Sequence, residues 1–312
     1  MLQSLKQLAQ TRCMKALSPK SAMLYTIDHT TEYRFTRPVF FEPHLLRFQP
    51  RTDGAQRVVR FDLTIDPAPA GTTHLLDAEG NLVTMVWFDG VHEHMTIRAT
   101  SEVETLRENP FDYLITSTNG RLPIGYQPWE QAQLALARKR ASVPVHSDPV
   151  RELAEKVREA AGSELVQFLA RLGTTICERC QLVRRDTGTP MSAATLMEQR
   201  QGACRDFAVL FIDACRCVGL AARFVSGYQD AYRSPDKRDL HAWAEVYLPN
   251  AGWRGYDPTR GMAVANHHVA VAAATDPQNA APVTATYRGD GVEAELHTEV
   301  SIESHAAEPA AY

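Results

Sequence analysis

The spacing of apolar residues changes part way along this chain, from every second position to helical spacing, and that change limits the fold more than any other feature. From Tyr25 to about Val103 the segments YTIDHTTEYRF, HLLRFQPR, RVVRFDLTIDP, NLVTMVWFDG and HEHMTIRATSEVE carry alternating or β-branched residues, the pattern of half-buried strands. The stretches PAPAGTT and DAEGN between them hold the Pro, Gly and Asp of turns. From Asp148 onward, VRELAEKVREAAG and ELVQFLARLGTTICERCQLV read as two helices with a Gly-Ser break between them. Strands followed by helices indicate an α+β protein.

At 312 residues the chain exceeds one typical domain of roughly 100 to 200 residues, so two are expected. Residues 1–120 form an N-terminal antiparallel β-sandwich-like domain in this reading. Residues 121–150, rich in Pro and aromatics with a short QAQLALARKRA helix, form a linker. Residues 151–312 form an α+β core that ends on the alternating strand VEAELHTEVSIES. Arg138, Lys139 and Arg140 are expected as a solvated helix end.

With 44% hydrophobic and 22% charged residues the chain can bury an ordinary core, and a net charge of -4 without single-sign runs argues against nucleic-acid or anionic-membrane partners. No run of about 18 apolar residues and no basic start followed by an apolar stretch is found, so the expectation is a cytoplasmic protein. The six cysteines, at 13, 177, 180, 204, 215 and 217, are then expected to stay reduced.

Chemistry concentrates between Gln201 and Gly261. Phe207, Leu210, Phe211, Ala214 and Val218 recur at helical spacing, Gly202 opens that helix and Gly219 ends it, so Cys204 stands at a helix N-terminus. The positive end of a helix dipole and a nearby imidazolium stabilise a thiolate, and free N–H groups of the first turn point where an oxyanion would form. AARFVSGY reads as a strand, QDAYRSPDKRDL as a polar loop, and HAWAEVYLP as a second strand starting at His241. A turn at Pro249, Asn250 and Gly252 leads into WRGYDPT, so a hairpin brings Asp257 beside His241. Nucleophile, base and orienting acid then come from a helix and two strands, the logic of a Cys-His-Asp triad.

GACRDFA, RFVSGY, HAWAEVYLPNAGW and DPTRG resemble the Cys, His and Asp blocks of the transglutaminase-like superfamily, in the bacterial group whose core follows a β-rich N-terminal domain. YTIDHTTEYRF, HLLRFQPR and the DAEGN to VWF segment resemble that domain, so the likeness spans roughly residues 24 to 302. The resemblance implies a papain-like α+β core, a triad of Cys204, His241 and Asp257, and acyl chemistry on amides of a peptide or protein substrate. Hydrolysis is the preferred outcome. Transfer of a glutaminyl acyl group to an amine, or a peptide-binding module with a retained triad, are the alternatives.

Trp243 and Tyr228 are candidates to line a substrate groove, with the core as the plainer alternative. Gln199 and Gln201 could donate to an oxyanion, whereas Arg205 and Asp206 read as a structural ion pair. Cys177-x-x-Cys180 lies late in a helical run, and Cys215 and Cys217, two apart on a helix, face different directions, so no metal site is expected. The pairs His92/His94 and His267/His268 read as surface or core residues. No G-x-S-x-G, phosphate-binding or dinucleotide-binding glycine motif occurs, and no cofactor is expected.

Overall fold

The computed structural model describes residues 22–115, 120–140, 148–185, 187–230 and 240–306. Cys13, most of SVPVHSDP and nearly all of the polar loop before His241 lie outside them. The N-terminal half consists of β1 (Met23–Phe41), β2 (His44–Leu46), β3 (Gln56–Asp66), β4 (Gly71–Leu76), β5 (Leu82–Trp87) and β6 (His92–Thr105). Next come α1 (Pro128–Gln133), α2 (Pro149–Ala160), α3 (Leu165–Arg179), β7 (Gln181–Leu182), α4 (Ala193–Gln199), β8 (Gln201–Gly202) and α5 (Cys204–Cys217). The remaining strands are β9 (Ala222–Gln229), β10 (His241–Leu248), β11 (Gly252–Asp257), β12 (Met262–Ala263), β13 (His268–Ala274), β14 (Val283–Thr284), β15 (Tyr287–Arg288) and β16 (Ala294–Ala306).

β3, β6 and β1 pair antiparallel, and a second sheet orders β14, β2, β5 and β4. β1 serves two cores from one face. Its residues Tyr25 and Ile27 pack toward β9 and β13, against Tyr228, Val269 and Val271. Further along the same face, Tyr33, Phe35, Val39 and Phe41 pack toward β2 and β5, against Leu46, Val86 and Phe88. The alternation in YTIDHTTEYRF encodes this single buried face. β4 was not visible in the sequence: five of its six residues are exposed, so GTTHLL has no alternation to read.

Two expectations need correction. The alternating C-terminal segment is a strand, but β16 pairs along β1 from Met23↔Ala306 to Phe35↔Ala294, and β14 pairs with β2, so the tail completes the N-terminal sheets instead of the second core. Arg140, expected in solvent, is largely buried and forms two double hydrogen bonds, to Asp148 and Asp213. Arg138 likewise donates to the Gly219 carbonyl, so this basic cluster docks the linker onto the core.

The second core packs α2 (Val150, Leu153, Val157) and α3 (Phe168, Leu169, Leu172, Ile176) around α5, which lies on the sheet β12-β11-β10-β9-β13. All five residues that predicted α5 by their spacing are buried, each Leu or Phe contributing about 1.5 to 3 kcal/mol by leaving water. Gly219 ends the helix at φ +85°, and hydrogen bonds from Gly219 N to Arg216 O and from Leu220 N to Cys215 O close a Schellman motif. The free edge of β13 is capped by side chains of the N-terminal half. Gln56 exchanges hydrogen bonds with Ala270, Asn81 does so with Ala273, and Glu79 accepts from Thr275 N. Side-chain amides thus stand in for a missing neighbouring strand.

Candidate active site

Cys204 is the first residue of α5, and the buried carboxylate of Asp206, two residues further along, fixes that end of the helix. Asp206 accepts from the backbone N–H groups of Ala203 and Met191, each at 2.7 Å, and from Arg185 Nη2 at 2.8 Å. The expected Arg205–Asp206 pair is therefore replaced by Arg185–Asp206, because Arg205 turns away to donate to the carbonyls of Arg185 and Thr187. Gly202 is required here, since a Cβ would lie 2.8 Å from Leu196 Cδ1 and 2.9 Å from Asp206 Oδ2. Gln199 and Gln201 are both exposed.

β10 and β11 form the expected hairpin, with Ala244↔Tyr256 through Leu248↔Gly252 in register. Continuing that register puts Asp257 across from Trp243 and diagonal to His241, and His241 Nε2 meets Asp257 Oδ2 at 2.9 Å. With Nε2 committed, Nδ1 is the nitrogen left for Cys204, to which His241 is also hydrogen-bonded. All three candidate triad residues are thus brought together.

Their electrostatics oppose one another. Burial pushes the Cys204 thiol up, but the hydrogen bond and charge of His241, the N–H of Ala242 and the charge of Arg205 outweigh it and leave the thiol below its ordinary value. Burial lowers His241, but the charge and hydrogen bond of Asp257, with Cys204, raise it to about 10. Burial raises Asp257, yet His241 and His268 hold its carboxyl well below the usual range. A lowered thiol beside a raised imidazole favours a thiolate–imidazolium pair.

Three residues at the site were missed. Asp257, 1% exposed, accepts on Oδ1 from the Thr259 N–H at 2.9 Å and hydroxyl at 2.6 Å; on Oδ2 it accepts from Gln229 Nε2 and His268 Nε2, each at 3.1 Å. D-P-T is an Asx-type turn, so the Thr259 bond had a signal. His268 and Gln229 face each other across β13 and β9, a pairing with little local trace. The ligand atoms of His241, Asp257 and His268 lie within 4.8 Å of one another, close enough to share a metal ion. As arranged, both imidazoles spend Nε2 on one carboxylate oxygen, which is a hydrogen-bonded network.

The two residues expected to line a groove do not face one. Trp243 is 1% exposed, stacked 6.1 Å from His241 and edge-on 5.1 Å from His268, so it packs against both imidazoles. It fits because Gly227 has no Cβ, which would sit 2.7 Å from the indole. Tyr228 is also buried, its hydroxyl 2.8 Å from His29 Nδ1 on β1. Among the other cysteines, Cys177 donates to the Thr259 carbonyl, while Cys215 and Cys217 are buried in α5, raised by desolvation first of all. Among the described residues no helix is long and apolar enough to cross a membrane.

Residues 25–104 match the bacterial transglutaminase-like N-terminal region, and residues 151–258 match the transglutaminase-like superfamily. An uncharacterized protein of Mycobacterium tuberculosis is 31% identical over 276 residues, covering 83% of this chain and 86% of that protein. A protein-glutamine gamma-glutamyltransferase of Pseudomonas aeruginosa is 28% identical over 135 residues, 40% of this chain and 20% of that protein. A solved structure from Cytophaga hutchinsonii, provisionally described as a cysteine protease, shares the fold with a TM-score of 0.66 at 19% identity, over 93% of this chain and 94% of that one. With its β-rich N-terminal region, α+β core and cysteine-type site, the chain belongs to the transglutaminase-like superfamily.

Proposed function

We propose that the protein is a thiol hydrolase of peptide or amide bonds, acting through an acyl-enzyme on Cys204. The observation that carries this reading is the chain of hydrogen bonds from Cys204 to His241 to Asp257, with the thiol lowered and the imidazole raised. In the first step Cys204 Sγ attacks the substrate carbonyl carbon, and backbone N–H groups of the first turn of α5 receive the oxyanion. The intermediate collapses as the C–N bond breaks, and the His241 imidazolium gives its proton to the departing amine. Neutral His241 then takes a proton from water, the hydroxide attacks the thioester, and the carboxylic acid leaves as the thiol is restored. Asp257 stays ionised throughout and holds Nε2 of His241. No cofactor takes part in this scheme.

Water as the acceptor follows the provisional description of the Cytophaga hutchinsonii protein as a cysteine protease. A second reading, transfer of the acyl group to an amine, is supported by the segment shared with the Pseudomonas aeruginosa transferase. Incubating the protein with dimethylated casein and a dansylated primary amine separates the two: free acid and peptide fragments are expected, and predominant conjugate would replace hydrolysis with transfer. Cys204→Ala should abolish either reaction. Turnover by that variant would sink the acyl-enzyme, and a parent protein with an unreactive Cys204 would leave only a peptide-binding role.

A further inference from the structure

Asp257 is held by more than the histidine it serves. His268 is 4% exposed on β13 and aims Nε2 at Oδ2, the same oxygen that His241 contacts. That oxygen is an acceptor already taking donors from His241 and Gln229, so an unprotonated Nε2 on His268 would face lone pair to lone pair. The proton of His268 therefore sits on Nε2. Its Nδ1 is buried without a hydrogen-bond partner, and a second proton there would leave a charged donor unsatisfied in the core. The groups around the ring agree with a neutral state: burial lowers His268 most, His241 and His267 lower it further, and Asp257 alone opposes them.

We infer that His268 is a positioning residue, a neutral Nε2–H imidazole that orients the Asp257 carboxylate so that His241 presents Nδ1 to Cys204. The inference rests on the triad reading above. It also gives the N-terminal half a part in the site. One edge of β13 pairs with β9, placing His268 opposite Gln229, and the other edge is gripped by Gln56, Asn81 and Glu79. Thr105 and Tyr25 hold the Asn266 carbonyl just before the strand. The register of β13, and with it the aim of His268, is thus held from both edges, one of them outside the catalytic core. His268 lies beyond residue 258, where the match to the superfamily ends.

The test compares His268→Leu, which fills much of the space without a donor, with His268→Gln, whose amide can return an N–H to the place of Nε2. Iodoacetamide alkylation of Cys204 across pH is the readout, with thermal melting alongside. The Leu variant should raise the midpoint of thiolate formation toward that of a free thiol and slow alkylation at neutral pH about 10- to 100-fold, and the Gln variant should recover most of it. An unchanged midpoint in the Leu variant, or a Gln variant equally impaired at the same melting temperature, overturns the assignment. The imidazole nitrogen chemical shifts of the unsubstituted protein give a check that needs no variant to fold. His268 should show a neutral ring with the proton on Nε2 near neutral pH, and a proton on Nδ1 overturns the inference. Cys204→Ala, run in parallel, separates the two levels. Fast alkylation that survives it removes the nucleophile itself, whereas its loss together with a parental midpoint in His268→Leu removes the role of His268 alone.

Discussion

The two ends of α5 carry cysteines in opposite electrostatic states. Burial raises the thiols of Cys204, Cys215 and Cys217 alike, and for Cys215 and Cys217 it prevails, Cys217 reaching about 12. At Cys204 the sign is reversed by what β10 delivers, the imidazole of His241 and the N–H of Ala242. Residue type and helix are shared and desolvation acts on all three, so reactivity is decided by the partners that a neighbouring strand brings.

The strongest way to break this contrast is to disturb the partner behind the partner. Asp257→Asn keeps the shape but turns an acceptor into a mixed group, so His241 loses its orienting anion. A fall in turnover of about 10⁴-fold is expected from the equivalent change in serine protease triads, with the Cys204 alkylation midpoint moving up. Retention of the parental midpoint would uncouple Cys204 from Asp257. Phe211→Ala acts on the middle of the helix, where the ring is fully buried and stacked on Tyr256. It should cost about 3 to 5 kcal/mol by denaturant unfolding, while the molecules that stay folded keep a parental Cys204 midpoint. A shifted midpoint would make reactivity a property of the whole helix.

Asp206→Asn strikes the start of the helix and weakens three hydrogen bonds, one of them to Arg185. A loss of about 1 to 3 kcal/mol is expected, together with slower Cys204 alkylation. Cys215→Ala should be mildest, about 1 kcal/mol from one buried sulfur, with Cys204 labelling unaltered.

The pH dependence follows from the same contrast. His241 is raised in the folded protein, so its contribution to stability is fully present below its unfolded value of about 6.5 and is lost as pH rises through about 10. Cys204 is lowered, so its contribution is present above the ordinary thiol value and is lost as pH falls through its folded value. Turnover should therefore hold a plateau between those limits, with the alkaline limb near 10. A limb near the ordinary thiol value would mean that no ion pair forms.

Much of the site could be read from the chain because its pieces are local. The helix of Cys204 carries its own start and stop in Gly202 and Gly219, and the turn at Asn250 to Gly252 sets the hairpin register that joins His241 to Asp257. What escaped the reading depends on pairings between distant segments. β16 with β1 and β13 with β9 are pairings that neither strand announces alone, and they decide where the tail goes and why His268 reaches Asp257. Trp243 was misplaced for a related reason. Strand alternation put it on the face of His241, but the close approach of β13 over Gly227 turned that face into core.

The most direct test of the account is limited alkylation with iodoacetamide at a mildly acidic pH, with the label on each cysteine read by mass spectrometry. A free thiol is under about one per cent ionised there, so Cys204 should be labelled about 100-fold faster than the remaining cysteines. Labelling of Cys204 no faster than that of Cys177 or Cys180 would contradict the thiolate on which the proposed chemistry depends.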